Sequence, residues 1–371
     1  MRDLRIDSLR GLMLAEIALV HLGGRAGAFC NEALGRVSVA AGFVFLSGLV
    51  AGAVYSRTAE RGLTELTRRC VRRCLYIQKY HLAAFLVLLA AVLLKPHFNS
   101  AFEFPLSTLA SGLRTTASLA VWLYQPDLFD ILPMYGLFVL CMPAALWALR
   151  NERGYLLWLA SLALWVCAQL GLGHLPDHAD RFGFFSGAFN PFAWQFVFFS
   201  GVYFGHTHLY RRRRIVARHL GLVAFSIAIC IAGLTMRWEL LPWPAAFEAG
   251  GWLASKRDYG LAYLINFLAL AYLLYCAAER APRLFQWRSL AFLGQHSIQV
   301  FAFHIVAVYL LLTQMHRIAW WGEFGRGALG VALVAALFIP AFCHAQWKSH
   351  SGRHIQRGVA PAPALARTST I

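Results

Sequence analysis

Long apolar stretches alternate with short polar ones along almost the whole chain. Ten stand out, at about 9–24, 37–55, 80–95, 131–149, 155–172, 192–206, 219–235, 259–278, 297–313 and 326–344. A hydrocarbon layer about 30 Å thick calls for about 20 helical residues, and in lipid the backbone must satisfy its own hydrogen bonds. The pattern therefore predicts an all-α fold, a polytopic integral membrane helical bundle of about 10 transmembrane helices. It forms one domain over residues 1–345. The tail, 346–371, holds "APAPALA" and is expected to be cytoplasmic and disordered. The first and sixth runs are the shortest and the most interrupted by polar residues.

The first run changes the picture. It carries Glu16 and His21 inside, and Asp7 and Arg10 at its mouth. A helix turns about 100° and rises about 1.5 Å per residue. Arg10 and His21, eleven positions apart, thus share nearly one face about 16 Å apart along the axis. Ionisable groups at membrane depth usually mark a pathway or a reaction site. A neutral imidazole can accept a proton from a hydroxyl, and an arginine is a permanent, planar cation for phosphates or carboxylates. Glu16 lies about 140° around the helix from His21 and is expected to pair with an arginine of another helix.

Composition agrees with a membrane protein. The chain is 59% hydrophobic and 14% charged, against roughly 25% charged in average soluble domains, and its 12 Trp, 13 Tyr and 28 Phe suit aromatic belts. A net charge of +17 could mean nucleic acid, but the basic residues sit between apolar runs and form no module, so no nucleic-acid partner is expected. With the N-terminus in the cytoplasm, most of the 34 Lys and Arg fall on the cytoplasmic side, "RRRR" at 211–214 included. Ten spans then place both termini there. The eight cysteines show no zinc or redox spacing, and no metal or permanently bound cofactor is expected. The first run is read as a retained span and not a cleaved signal.

Several stretches together resemble one family. "RIDSLRG" followed by His21 is similar to the opening of the membrane-bound acyltransferase-3 superfamily, an arginine, ten intervening residues and a histidine. "GFVFLSGLVAG" (42–52) resembles its aromatic-leucine-serine-glycine motif, "RRCVRR" (68–73) its R-x-x-R arrangement, and "LGQHSIQVFAFH" (293–304) its late LG…S…H element. Within the superfamily, "DILPMYGLFVLCMP" (130–143) and "NPFAWQFVFFSG" (190–201) resemble the D-x-L-P-x-Y and N-P-x-x-W-Q blocks of the OpgC family. The proline common after R-x-x-R in the superfamily is missing here.

The resemblance implies an O-acyltransferase of the bacterial inner membrane. It would move an acyl group, succinyl by analogy, from cytoplasmic acyl-CoA to a hydroxyl of a periplasmic glucan. His21 is the expected general base. Arg10 and the loop arginines Arg69, Arg72 and Arg73 are the candidates for holding CoA phosphates; Arg69 and Arg72, three apart, share a helix face. Ser47, Asn190 and Gln195 are candidate oxyanion donors. Asp130, Tyr135, Asn190 and Trp194 open helices on the acceptor side, where they suit either a sugar or ordinary interface and capping roles. His304 is either catalytic or packed. Ser297 is expected only to open its helix.

Two other readings remain on sequence grounds: a secondary transporter, for which no Gly/Pro-broken pair of helices in repeated positions is visible, and an acetyltransferase acting on an exopolysaccharide or lipid-linked glycan.

Overall fold

The computed structural model describes residues 3–95, 98, 109–172, 188–214, 218–248, 251–314 and 322–358. It is helical throughout, with no strand among the described residues. In chain order the α-helices are α1 (Leu4–Leu22), α2 (Gly24–Cys30), α3 (Val39–Ala59), α4 (Leu63–Leu94), α5 (Leu109–Ala120), α6 (Ile131–Arg150), α7 (Gly154–Gln169), α8 (Pro191–Phe204), α9 (Leu220–Arg237), α10 (Leu261–Arg280), α11 (Arg288–Gln295), α12 (Ser297–Leu312), α13 (Gly322–Ala336) and α14 (Phe338–Gly358).

Every expected apolar run lies on a helix, but only some of these helices qualify as spans. Among the described residues six are long and apolar enough to cross a membrane: α3, α4, α6, α9, α10 and the stretch Gly322–His350. A seventh follows if α11 and α12, bent 86° apart, count as one crossing. The other three expected runs fall on α1, α7 and α8. The 16 residues of α7 and 14 of α8 are short, and polar residues lower the apolarity of α1. The count of ten is therefore not reached, while the class, a multi-pass helical membrane protein, holds.

Two boundaries differ from the sequence reading for clear reasons. Helix α1 begins at Leu4, because the Asp3 carboxylate accepts from the Arg5 amide and caps it. Arg10 is thus two turns inside the helix and not at its entrance. Helix α4 begins 17 residues before the expected run, so "RRCVRR" is not a loop but the amphipathic first half of a 32-residue helix. At the other end α14 continues to Gly358, past residue 345; residues 359–371, with "APAPALA", lie outside the described residues.

The core forms where α1, α3, α4, α6, α8 and α12 meet, around the fully buried Leu14, Phe85, Phe129, Met142, Trp194 and Phe198. Peripheral helices instead expose large apolar side chains, among them Leu159 of α7, Phe225 and Ile231 of α9 and Val331 of α13. In water each would cost about 1.5–3 kcal/mol of foregone burial; against acyl chains that cost vanishes.

Small residues set the helix spacing in two seams. Along α3 and α8, a Cβ added at Gly48 or Gly52 would overlap the carbonyls of Phe198 or Val202, and one at Gly201 or Gly205 those of Phe45 or Leu49. The leucine-serine-glycine stretch is therefore a close helix–helix contact of the small-xxx-small kind. The second seam joins α1 to α11. There a Cβ at Gly11 would meet the Leu290 carbonyl, and one at Gly294 that of Asp7. This seam carries the turn at His296, and everything beyond it, against the first helix.

Candidate functional site

The sharp turn between α11 and α12 brings two polar levels of the late segment beside two of α1. At the lower level, Arg10 donates from NH2 to the Ser297 hydroxyl at 2.7 Å and lies 5.8 Å from the centre of the Phe43 ring. It is only 8% exposed. Ser297, which sequence reading left without a role beyond the helix start, is thus a direct partner of the arginine.

Two turns further along α12, His304 reaches His21. The imidazoles stack with centroids 5.3 Å apart and planes 20° from parallel, and His21 Nδ1 lies 3.1 Å from His304 Nε2. The other nitrogen of His304, Nδ1, is 2.5 Å from the Phe301 carbonyl. A carbonyl only accepts, so His304 Nδ1 carries the hydrogen. In a neutral pair His304 Nε2 is then the acceptor and His21 Nδ1 the donor. That leaves Nε2 of His21 with its lone pair, in the tautomer a general base requires. Phe43 and Phe301, stacked 6.1 Å apart, separate the Arg10 level from the histidine pair, and Phe301 also meets His304 edge-on at 4.6 Å.

His21 lines a cavity of about 100 Å³. Its walls come from the far end of α1 (Ile17, Val20), the start of α3 (Ser38, Val39, Ala40), the start of α6 (Asp130, Ile131), and Phe301, Asn31 and Lys256. No wall residue lies at the Arg10 level. The cavity belongs to the His21 end of the bundle, and Phe301 forms part of its wall.

The remaining sequence candidates separate. Asp130 lines the cavity, its Oδ2 accepting from the Ala188 amide at 2.7 Å. Asn190 caps α8 through Phe192 N and donates to the Leu172 carbonyl and to Asp258 Oδ1. Trp194, fully buried, donates to the Arg257 carbonyl at 3.0 Å. Gln195 donates both amide hydrogens, to the carbonyls of Ser161 and Phe192, and accepts from the Ser161 hydroxyl. It has no donor left for an oxyanion, so the structure makes it a strut between α7 and α8. Tyr135 packs edge-on against Phe198, and Ser47 is buried beside Gly48 in the α3–α8 seam. None of these five lines the His21 cavity.

The arginines of α4 also divide. Arg69 donates to the Thr58 hydroxyl at 2.8 Å and lies over Tyr55. Arg73 lies 5.6 Å over Tyr76. Arg72 is exposed. Arg69, also exposed, reaches across to α3, while Arg73 is half-buried over a residue of its own helix. Beside them Tyr76 accepts from Gln299 at 2.6 Å, and His296 meets His344 Nδ1 to Nδ1 at 2.7 Å, a polar cluster one residue from Ser297. Glu16 has no arginine or lysine within ion-pair distance among the described residues, so the expected pairing is not formed.

Sequence reading missed Lys256 and Asn31. The signal was available: "SKRD" (255–258) sets two cations in a short segment on the side poor in basic residues.

A family model described as OpgC protein matches residues 2–349. No curated protein and no solved structure matches the chain.

Proposed function

Because this chain belongs to the OpgC protein family, we propose that it is a glucan-modifying acyltransferase that carries an acyl group across the membrane. The donor in this reading is cytoplasmic acyl-CoA, with succinyl-CoA first among the choices. The acceptor is a hydroxyl of a periplasmic glucan. The bias of basic residues toward the N-terminal side supports a cytoplasmic N-terminus in the bacterial inner membrane; in this reading Arg10, Arg69, Arg72 and Arg73 stand at the donor's entry and the His21 cavity faces the periplasm.

The observation that carries the reading is the His21–His304–Phe301 chain, which leaves one lone pair on an imidazole at a cavity. In the reaction the glucan hydroxyl oxygen attacks the thioester carbonyl carbon while His21 Nε2 takes the hydroxyl proton. The tetrahedral intermediate then collapses with cleavage of the C–S bond. The thiolate leaves with the proton that His21 held, and the ester remains on the sugar. His304 touches no reactant. It is a positioning residue that holds the tautomer and stabilises the imidazolium in passing, as an orienting partner does in a triad.

The test is transfer by the purified protein in lipid nanodiscs, with succinyl-CoA and glucan, read by the mass of the product. His21→Gln is expected to lower the rate at least ~100-fold, the low end of what general base catalysis supplies. Ester formation at the wild-type rate in that variant removes the proposal. Uptake of a solute that depends on His21, with no ester formed, favours the transporter.

A further inference from the structure

One ionic cluster beside the site is out of balance. Glu32, 5% exposed, stands within ion-pair distance of three cations: Lys256 at 3.3 Å, Arg36 at 3.8 Å and Arg237 at 3.9 Å. One carboxylate among three positive groups leaves two positive charges in excess. Glu32 and Arg36 are buried, while Lys256 and Arg237 keep 38% and 24% of their side chains exposed, so the excess charge lies where an arriving anion can reach it. Arg36, 7% exposed, has no hydrogen-bond partner for its Nε among the described residues. The cluster is therefore arranged for an anion that the protein does not itself supply.

Only one member of the cluster reaches the cavity. Lys256, 38% exposed at its side chain, donates to Asn31 Oδ1 at 2.9 Å, and both residues line the cavity with His21. A group that contacts Lys256 thus shares a small chamber with the reacting carbonyl. At about 100 Å³ the cavity has room that a short acyl chain can enter. Asp130 is the other ionisable wall residue, and its Oδ2 is held by the Ala188 amide.

We propose that Lys256, backed by Asn31 and the excess charge at Arg36 and Arg237, is the receptor for a carboxylate at the far end of the transferred acyl group, and that it selects dicarboxylic over neutral acyl donors. This rests on the acyl-transfer reading and deepens it. The ammonium forms a charge-assisted hydrogen bond to the acyl carboxylate. A neutral chain of equal length forgoes that bond and leaves the cluster's excess charge in place, so it is the poorer donor.

The experiment compares kcat/KM for succinyl-CoA and for butyryl-CoA, a neutral four-carbon donor, with a neutral glucan acceptor and the full chain in nanodiscs. The wild type is expected to prefer succinyl-CoA at least tenfold. Lys256→Met should bring the ratio close to one, and Lys256→Arg should keep most of it. A wild type that uses both donors equally overturns the subsite without any variant, as does a Lys256→Met ratio equal to that of the wild type; acyl transfer stands in both cases. A preference that appears only when the acceptor carries an anion assigns the lysine to the acceptor and also overturns it. If the wild type forms no ester from either donor, or if His21→Gln forms it at the wild-type rate, acyl transfer by His21 falls, and the subsite falls with it.

Discussion

Gly11 of the first helix and Gly294 of α11 face each other with their backbones in contact: a Cβ built on either would come within about 3.1 Å of the other's amide nitrogen and overlap a carbonyl of the opposite helix. This contact sets the register that brings Arg10 to Ser297 and, two turns of α12 later, His21 to His304. The candidate site thus depends on two residues that have no side chain.

Gly294→Val is the corresponding test. The added atoms meet backbone, which cannot move aside as a side chain would, so the cost exceeds the 1–3 kcal/mol typical of overpacking. The variant is expected to lose the monodisperse peak in size-exclusion chromatography, or to melt well below the wild type. Normal melting and normal transfer would show that the helices can separate without loss.

His304→Ala should lower kcat about 10- to 100-fold with little change in the KM for acyl-CoA. The imidazole of His21 is left in place but free to take the other tautomer or turn away. His304→Gln, whose side chain can still present an acceptor to His21 Nδ1, should recover part of the rate. An alanine variant at the wild-type rate would show that His304 is merely packed.

Arg69→Ala is expected to raise the KM for acyl-CoA several-fold, since its side chain reaches Thr58 and Tyr55 of α3. Arg72→Ala should have the smaller effect, because among the described residues no hydrogen bond, ion pair or ring contact ties its exposed side chain to another helix. Steady-state kinetics at constant salt decides, as phosphate contacts weaken with ionic strength. A larger effect at Arg72 than at Arg69 would reverse that order and overturn the expectation.

Gln195→Leu removes two buried hydrogen bonds between α7 and α8 and one within α8, and leaves the Ser161 hydroxyl and carbonyl without that partner. Each unsatisfied buried group costs about 1–3 kcal/mol. The variant should melt earlier, while the folded fraction keeps its transfer rate. A rate loss of 100-fold at unchanged stability would return Gln195 to the oxyanion.

The sequence alone determined the class and the first half of the site. In a bilayer each spanning segment must be continuous, apolar and helical, so its presence is written locally; the period of one helix likewise suffices to align Arg10 with His21. Which helices cross was less legible, because α1, α7 and α8 trade length or apolarity for polar contacts inside the bundle. The tertiary structure decided what each polar residue is for. Asn190, Trp194 and Gln195 have the chemistry of a sugar site and of a strut alike, and only their partners, such as Arg257 and Ser161, tell which. His304 and Lys256 join His21 from more than two hundred residues away along the chain. No local period encodes such a meeting, because it arises from helix packing, from the turn at His296 and from the closeness that two glycines permit.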